Sequence, residues 1–355
     1  MLLDPATLEI APENERALTL VGPDERFVGE LREGQIELRT PVCGNAVAAA
    51  IQLANARLDL CTSLESRLGL AGAGTHPFST SWGGIGADRK YRQLAQEYPF
   101  TAHGHLPCGF HVHVAVPGAD RALAVFNAAR TYVPELSALA ANSPFLDGRD
   151  TGLASARSQL TLAFHRSGIP PAFSTWEELV AFLEWGRRGG LFPNASHLWW
   201  DLRPHLQHGT LELRVPDTQT RVDDAAAIAA VYQCLLVWLA RRFDEGEPLP
   251  VHRQVRIAEN AWRAARYGTR GYLVDVETGE AVETRQRVSD LLDELESCAE
   301  RLGTGWALLT ARALLADNGA DRQRYVAARE GLNGLVAWLA EETVASPREY
   351  LERPG

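Results

Sequence analysis

Four short stretches of the chain, Gln35 to Arg39, Phe110 to Ala115, Trp200 to Arg203 and Thr210 to Val215, alternate ionisable and apolar residues with a period of two. A β-strand sends successive side chains to opposite faces, so Glu37 with Arg39, His111 with His113, Asp201 with Arg203, and Glu212 with Arg214 each share a face. Ile36, Leu38, Val112, Val114, Leu202, Leu211 and Leu213 then point the other way, into a core. A chain built so must fold a sheet with one apolar wall and one wall of Glu, His, Asp and Arg. Carboxylates with imidazoles suit a divalent metal, and guanidiniums suit carboxylate or phosphate oxygens.

Helical spacing fills the intervals. Asn45 to Leu68 carries Val47, Ile51, Ala54, Leu58 and Cys61 on one predicted stripe. Further helices are predicted at Asp120–Ala141, Ser174–Trp185 with a Ser174-to-Glu177 capping box, Asp223–Phe243, His252–Tyr267, Arg285–Leu302 and Ala320–Thr343. Leu198–Arg203 and Thr210–Val215 read as a hairpin, and Tyr272–Val282 as a shorter one. Strands interrupted by helices, together with hairpins, predict an α+β fold: a largely antiparallel sheet backed by helices. Trp185, Trp199, Trp200 and Trp262 are read as core.

Charge and motif content exclude several function classes. The formal net charge is −10, Lys90 is the sole lysine, and no cationic run occurs, which argues against a nucleic-acid or anionic-membrane partner. No apolar run is read as long enough to span a bilayer and no export signal opens the chain, so a cytoplasmic protein acting on small molecules is expected. The glycine clusters Gly72 to Gly74 and Gly83 to Gly86 complete no dinucleotide fingerprint, and no P-loop surrounds Lys90. The five cysteines are unpatterned and are expected to be reduced thiols. The sequence does not set the oligomeric state, and a homo-oligomer is allowed.

The loop Asn142 to Arg157 collects Ser143, Gly148, Arg149, Thr151, Gly152, Ser155 and Arg157, donors expected to clasp a carboxylate or phosphate of a substrate.

In order along the chain, ELRTPVC, AGTHPF, CGFHVHVAVP, ANSPFLDGRDTGLASARS, WWDLRP, GTLELRVPD and ENAWRAARYG, with DRQR and WLAEET later, resemble the type 2 glutamate–cysteine ligase family, also called carboxylate–amine ligases. The resemblance implies a glutamine-synthetase-like fold over residues 1–355, in which a curved antiparallel sheet forms a funnel where ATP, Mg²⁺ and two substrates meet. It implies phosphorylation of the γ-carboxylate of glutamate, or a similar acid, followed by attack of an amine such as that of cysteine. Carried over by motif, Glu37, His113 and Glu212 would face metal. Arg157, Arg203 and Arg214 would act in catalysis, with Arg203 and Arg214 on the nucleotide, and His111, Thr151 and Arg157 would touch substrate. Members ordinarily carry a G-x-E-E-E-F strand ahead of their L-L-x-D-P piece, whereas this sequence opens at Met1-Leu2-Leu3-Asp4-Pro5. A mis-set start or a shortened chain is expected over genuine loss of part of the metal site. Two rival readings remain: a hydrolase holding Zn²⁺ between His111, His113 and a carboxylate, and a non-catalytic binding protein on the ligase fold.

Overall fold

The computed structural model describes residues 1–105 and 107–345. In chain order the strands are β1 (Leu2–Leu3), β2 (Phe27–Gly29), β3 (Ile36–Leu38), β4 (Gly69–Leu70), β5 (Val112–Ala115), β6 (Phe145–Leu146), β7 (Arg149–Asp150), β8 (Ser167–Gly168), β9 (Trp199–Trp200), β10 (Leu202–His205), β11 (Thr210–Leu213), β12 (Tyr272–Val274) and β13 (Ala281–Glu283). The helices are α1 (Asn14–Val21), α2 (Ala46–Ser63), α3 (Arg89–Glu97), α4 (Pro99–Ala102), α5 (Ala119–Ala129), α6 (Val133–Leu139), α7 (Ala156–Thr161), α8 (Trp176–Arg188), α9 (Val222–Asp244), α10 (Gln254–Tyr267), α11 (Thr284–Leu302), α12 (Gly305–Ala316) and α13 (Gly319–Val344).

Mixed helix and antiparallel sheet is the class expected from the sequence, but hydrogen bonding divides the strands into small sheets instead of joining them in one funnel. The largest has the order β10–β11–β5, antiparallel throughout, and it contains the anticipated hairpin. Pairs β1–β4, β2–β3, β6–β7 and β12–β13 stand apart, and β8–β9 is parallel. Imino acids help keep the central ladder short: Pro117 follows β5 and Pro216 follows β11, and neither can donate to a neighbour. Pro204 is tolerated inside β10 because β10 is an edge strand.

The apolar wall of this sheet packs on α9. Leu202, Leu211 and Leu213 share a core with Ile228, Val231, Tyr232, Leu235 and Leu236. α9 touches α2, α5, α11 and α12, so it is apolar on nearly every side. This corrects the membrane reading: the segment is long and apolar enough to cross a bilayer, and 83% of that window is buried within the protein.

Other departures have local causes. The helix predicted over Asp120–Ala141 divides into α5 and α6 around a 3₁₀ turn at Arg130–Tyr132, with Pro134 opening the second piece. α13 breaks at Gly331, whose φ of 71° leaves the helical region. The cap of α8 is Thr175, which accepts from the Glu178 amide, one residue beyond the predicted box. On α2 the buried face is Ala46, Ala50, Ala56, Arg57 and Leu60, whereas Leu58 of the predicted stripe is exposed. Arg57 enters the interior because Gln219 and Thr220 offer backbone carbonyls at 2.7 and 2.6 Å. Trp200 is core as expected, Trp199 is half-buried, and Trp185 and Trp262 are exposed.

Candidate active site

The site is a ladder of side chains across the polar wall of β10–β11–β5. Register places Arg203 opposite Glu212, and Glu212 opposite His113. In the next row Arg214 lies against Asp201, whose carbonyl accepts the Arg214 amide at 2.8 Å. His111 joins the group, with Nδ1 3.6 Å from Glu212 Oε1. The alternation read from the sequence therefore holds, and it brings Glu212, Arg203, Arg214, His111 and His113 together.

Glu212 is the hub and is 2% exposed. Arg203 donates to its Oε2 from Nε at 2.9 Å and lies 2.7 Å away through Nη2, while Arg214 Nη1 donates to Oε1 at 2.5 Å. Burial alone would raise the Glu212 pKa, but the Arg214 and Arg203 charges outweigh it and hold the carboxyl well below its usual range. Arg203 Nη1 also donates to the carbonyls of Ser196 and Leu198 at 2.8 and 3.0 Å, so this guanidinium is engaged on all sides. Arg214 retains capacity: Nη1 serves Glu212, and Nε is buried without a partner among the described residues.

Both histidines are kept neutral. Burial lowers His111, and Arg214 adds to the effect. Burial also lowers His113, with His205 and His208 adding to it and Glu212 opposing. The His113 ring stands edge-on to His205 and His208 at 5.2 and 5.8 Å, and its Nδ1 is 3.0 Å from Thr210 Oγ1. His205 and His208 went unnoticed in the sequence because they lie in the turn side of the hairpin, where face and register cannot be read before β10 and β11 are paired.

Arg157 sits beneath the ladder and serves it indirectly. Its Nη1 and Nη2 donate to the carbonyls of Val215 and Arg214 at 2.8 and 2.9 Å. The guanidinium lies against Gly109, where an added Cβ would stand 2.3 Å from Nη2, so the absence of a side chain there is a packing requirement.

The donor-rich loop is occupied by the protein itself. Asp217, 1% exposed, accepts from the Asn142 amide and Ser143 Oγ, each at 2.7 Å, and from Ser155 Oγ at 2.8 Å. Thr151 donates to the Pro144 carbonyl at 2.9 Å and accepts from the Leu153 amide at 3.1 Å, closing the loop on itself. The carboxylate that Ser143 and Ser155 clasp is thus the protein's own, and Thr151 bonds within the loop. The acid that satisfies them lies at the end of GTLELRVPD, many residues away in sequence.

Glu37 stands on a separate hairpin, opposite Val28, and pairs with Arg39 at 2.6 Å. Among the described residues no group of three His, Cys, Asp or Glu side chains is arranged to hold a metal ion. The expected set of Glu37, His113 and Glu212 is accordingly not preassembled, nor is a zinc set built on His111 and His113.

Asp201 is the acid that motif reasoning underrated. Its amide donates to the Gly168 carbonyl at 2.9 Å, and the residue is half-buried. Burial pushes its carboxyl up to about 6, against the pull of Arg157 and Arg214. Among the described residues that carboxyl makes no hydrogen bond or ion pair.

Comparison with known proteins agrees with this architecture. The family model described as glutamate–cysteine ligase family 2 matches residues 2–344. A glutamate–cysteine ligase of Natronomonas pharaonis is 36% identical over 341 residues, covering 95% of this chain and 90% of that protein. A Rubrobacter xylanophilus relative, named as a candidate glutamate–cysteine ligase 2-3, is 38% identical over 352 residues, covering 96% and 94%. In fold, the chain is similar to a Francisella tularensis glutamate–cysteine ligase in complex with AMP, with a TM-score of 0.69 at 13% identity over 99% of this chain and 89% of that one. A bifunctional glutathione synthetase of Pasteurella multocida gives a TM-score of 0.66 at 15% identity, covering 90% of this chain and 48% of that one. The chain belongs to glutamate–cysteine ligase family 2 and is an enzyme of the ligase class.

Proposed function

We propose that the protein is an ATP-dependent ligase that joins the γ-carboxylate of glutamate to an amine such as cysteine through an acyl phosphate, with residues 1–355 acting as one catalytic domain in the cytoplasm. The observation that carries this reading is the buried Arg203–Glu212–Arg214 triad flanked by neutral imidazoles on one sheet face. A carboxylate resists attack by an amine, and transfer of a phosphoryl group converts one of its oxygens into a leaving group. That transfer needs little from the protein except alignment and placed positive charge.

Glu212 fixes both guanidiniums of the wall. Arg203 is saturated and braces Glu212, whereas Arg214, with donor capacity left, is the group placed to grip a phosphate or carboxylate oxygen. Arg157 holds the strand carrying Arg214 in place. His111 and His113, unprotonated, can accept or donate one hydrogen bond each without adding charge.

Mg²⁺ bound with ATP would supply charge neutralisation at the phosphates. Glu37 and Glu212, the carboxylates expected to hold it, stand on separate hairpins and are each already paired with arginine. Because Glu212 is already met by two guanidiniums and no three-donor cage exists among the described residues, no step is assigned to the metal.

The test is ADP release by the full chain with ATP, Mg²⁺, glutamate and cysteine. Release that requires both amino acids, accompanied by dipeptide, supports the proposal. Unchanged turnover in Glu212→Ala counts against the assigned wall, and ADP release indifferent to any amine counts against ligation.

A further inference from the structure

We infer that Asp201 is the proton acceptor for the attacking amine, binding the incoming ammonium against its carboxylate. The inference rests on the ligase reading above and names the one participant that reading lacks, the group that frees the nitrogen lone pair.

Asp201 is held rigidly yet left chemically open. It occupies the joint between β9 and β10, where its amide is bonded to Gly168 and its carbonyl to Arg214. The backbone is thus fixed on both sides. Its carboxylate nonetheless has no bonded partner among the described residues. The neighbouring charges are engaged elsewhere: Glu212 with Arg203 and Arg214, Arg157 with two carbonyls, Asp217 with Asn142, Ser143 and Ser155. The Asp201 oxygens are not among the buried atoms left without a partner, so they are open to a donor arriving from outside the chain. An ammonium is the donor that a carboxylate at the edge of this wall would recognise.

The groups facing Asp201 are Arg157 from α7 and Arg214 just after β11, both cationic and both bonded to other atoms. They favour its ionised form, while burial works the other way and raises its basicity toward neutral pH, as a general base requires. His111 is the weaker candidate, since burial and the adjacent Arg214 disfavour its protonated form.

The step balances as follows. The carboxylate takes one proton from the ammonium. The freed lone pair forms the C–N bond, and the acyl C–O bond breaks with its electrons leaving on phosphate. The second proton lost by nitrogen goes to that phosphate.

The experiment compares two amines in the full chain, with ATP, Mg²⁺ and glutamate. Cysteine arrives largely as an ammonium at neutral pH, whereas hydroxylamine arrives unprotonated and needs no base before attack. Asp201→Asn is expected to lose cysteine ligation by about 100-fold or more, with hydroxamate formation within a few-fold of wild type. Asp201→Glu should restore part of the cysteine reaction, and it becomes the scored variant if the asparagine form melts early. Equal losses with both amines, or cysteine ligation near the wild-type rate, overturn the assignment of Asp201 alone. Failure of the wild-type chain to form either product overturns the ligase reading and this assignment with it.

Discussion

Arg214 lies opposite Asp201, its amide bonded to the Asp201 carbonyl at 2.8 Å, yet its guanidinium turns along its own strand to meet Glu212 at 2.5 Å. Among the described residues one carboxylate therefore binds two cations while its neighbour binds none. The division separates a carboxylate locked between two guanidiniums from one whose oxygens make no bond among the described residues.

Removing the hub should damage fold and function together. Glu212→Ala leaves Arg203 and Arg214 buried without their counter-charge, a loss of about 3–5 kcal/mol, read by urea denaturation. ADP release should fall to background. Glu212→Gln keeps the shape and loses the charge, so it should unfold at higher urea than the alanine variant while remaining inactive.

His76 makes stability depend on pH. Its Nδ1 accepts from the amides of Phe78 and Ser79 at 3.2 and 2.9 Å, so the proton must sit on Nε2, which faces the Leu8 carbonyl at 2.9 Å. Burial lowers its pKa from 6.5 to about 4. The unfolded chain therefore takes up the proton first, and this contribution is complete above pH 6.5 and disappears as pH falls toward 4. The difference amounts to about 3 kcal/mol. Urea midpoints across that interval should fall with pH in the wild type and fall less in His76→Gln.

Gly109→Ala tests how Arg157 supports the ladder. The new methyl meets Arg157 Nη2 and must displace the guanidinium from the Val215 and Arg214 carbonyls. Stability should drop by about 1–3 kcal/mol, and ADP release should decline more steeply than a surface substitution would cause. Wild-type turnover with an unchanged melting temperature would show that Arg157 positions nothing.

Asp217→Asn should loosen the loop from Asn142 to Ser155. An amide cannot accept from the Asn142 amide, Ser143 and Ser155 on both of its terminal atoms, so at least one buried donor loses its acceptor, at about 1–3 kcal/mol. Faster amide hydrogen exchange confined to this loop is the expected signature.

What the sequence disclosed and what it hid divide along physical lines. The faces of Glu212, Arg214, His111 and His113 were legible because strand geometry fixes alternation residue by residue. The β10–β11 hairpin was legible because its turn is local. The place of β5 beside β11 depends on a pairing across about a hundred residues, which no local pattern encodes. The purpose of Ser143 and Ser155 was hidden for the same reason, since their acceptor, Asp217, arrives from a distant segment. Glu37 has the right alternation but belongs to a hairpin that does not join the central ladder. The buried face of α2 was misplaced because Arg57 looks like a surface residue until the carbonyls that receive it are known.

The contact between α9 and the sheet sets a limit on change. Ala229 and Ala230 pack with Ala46 and Ala307, and Phe110, Val112 and Trp306 lie against them, so α9 presents only methyl groups to β5 in this cluster. A bulkier residue at either alanine would lift β5 from its seat and carry His113 away from Glu212. Tolerance for variation along this helix should therefore be decided by side-chain size more than by polarity, and the spacing of the Glu212 ladder is governed from the apolar side of the sheet.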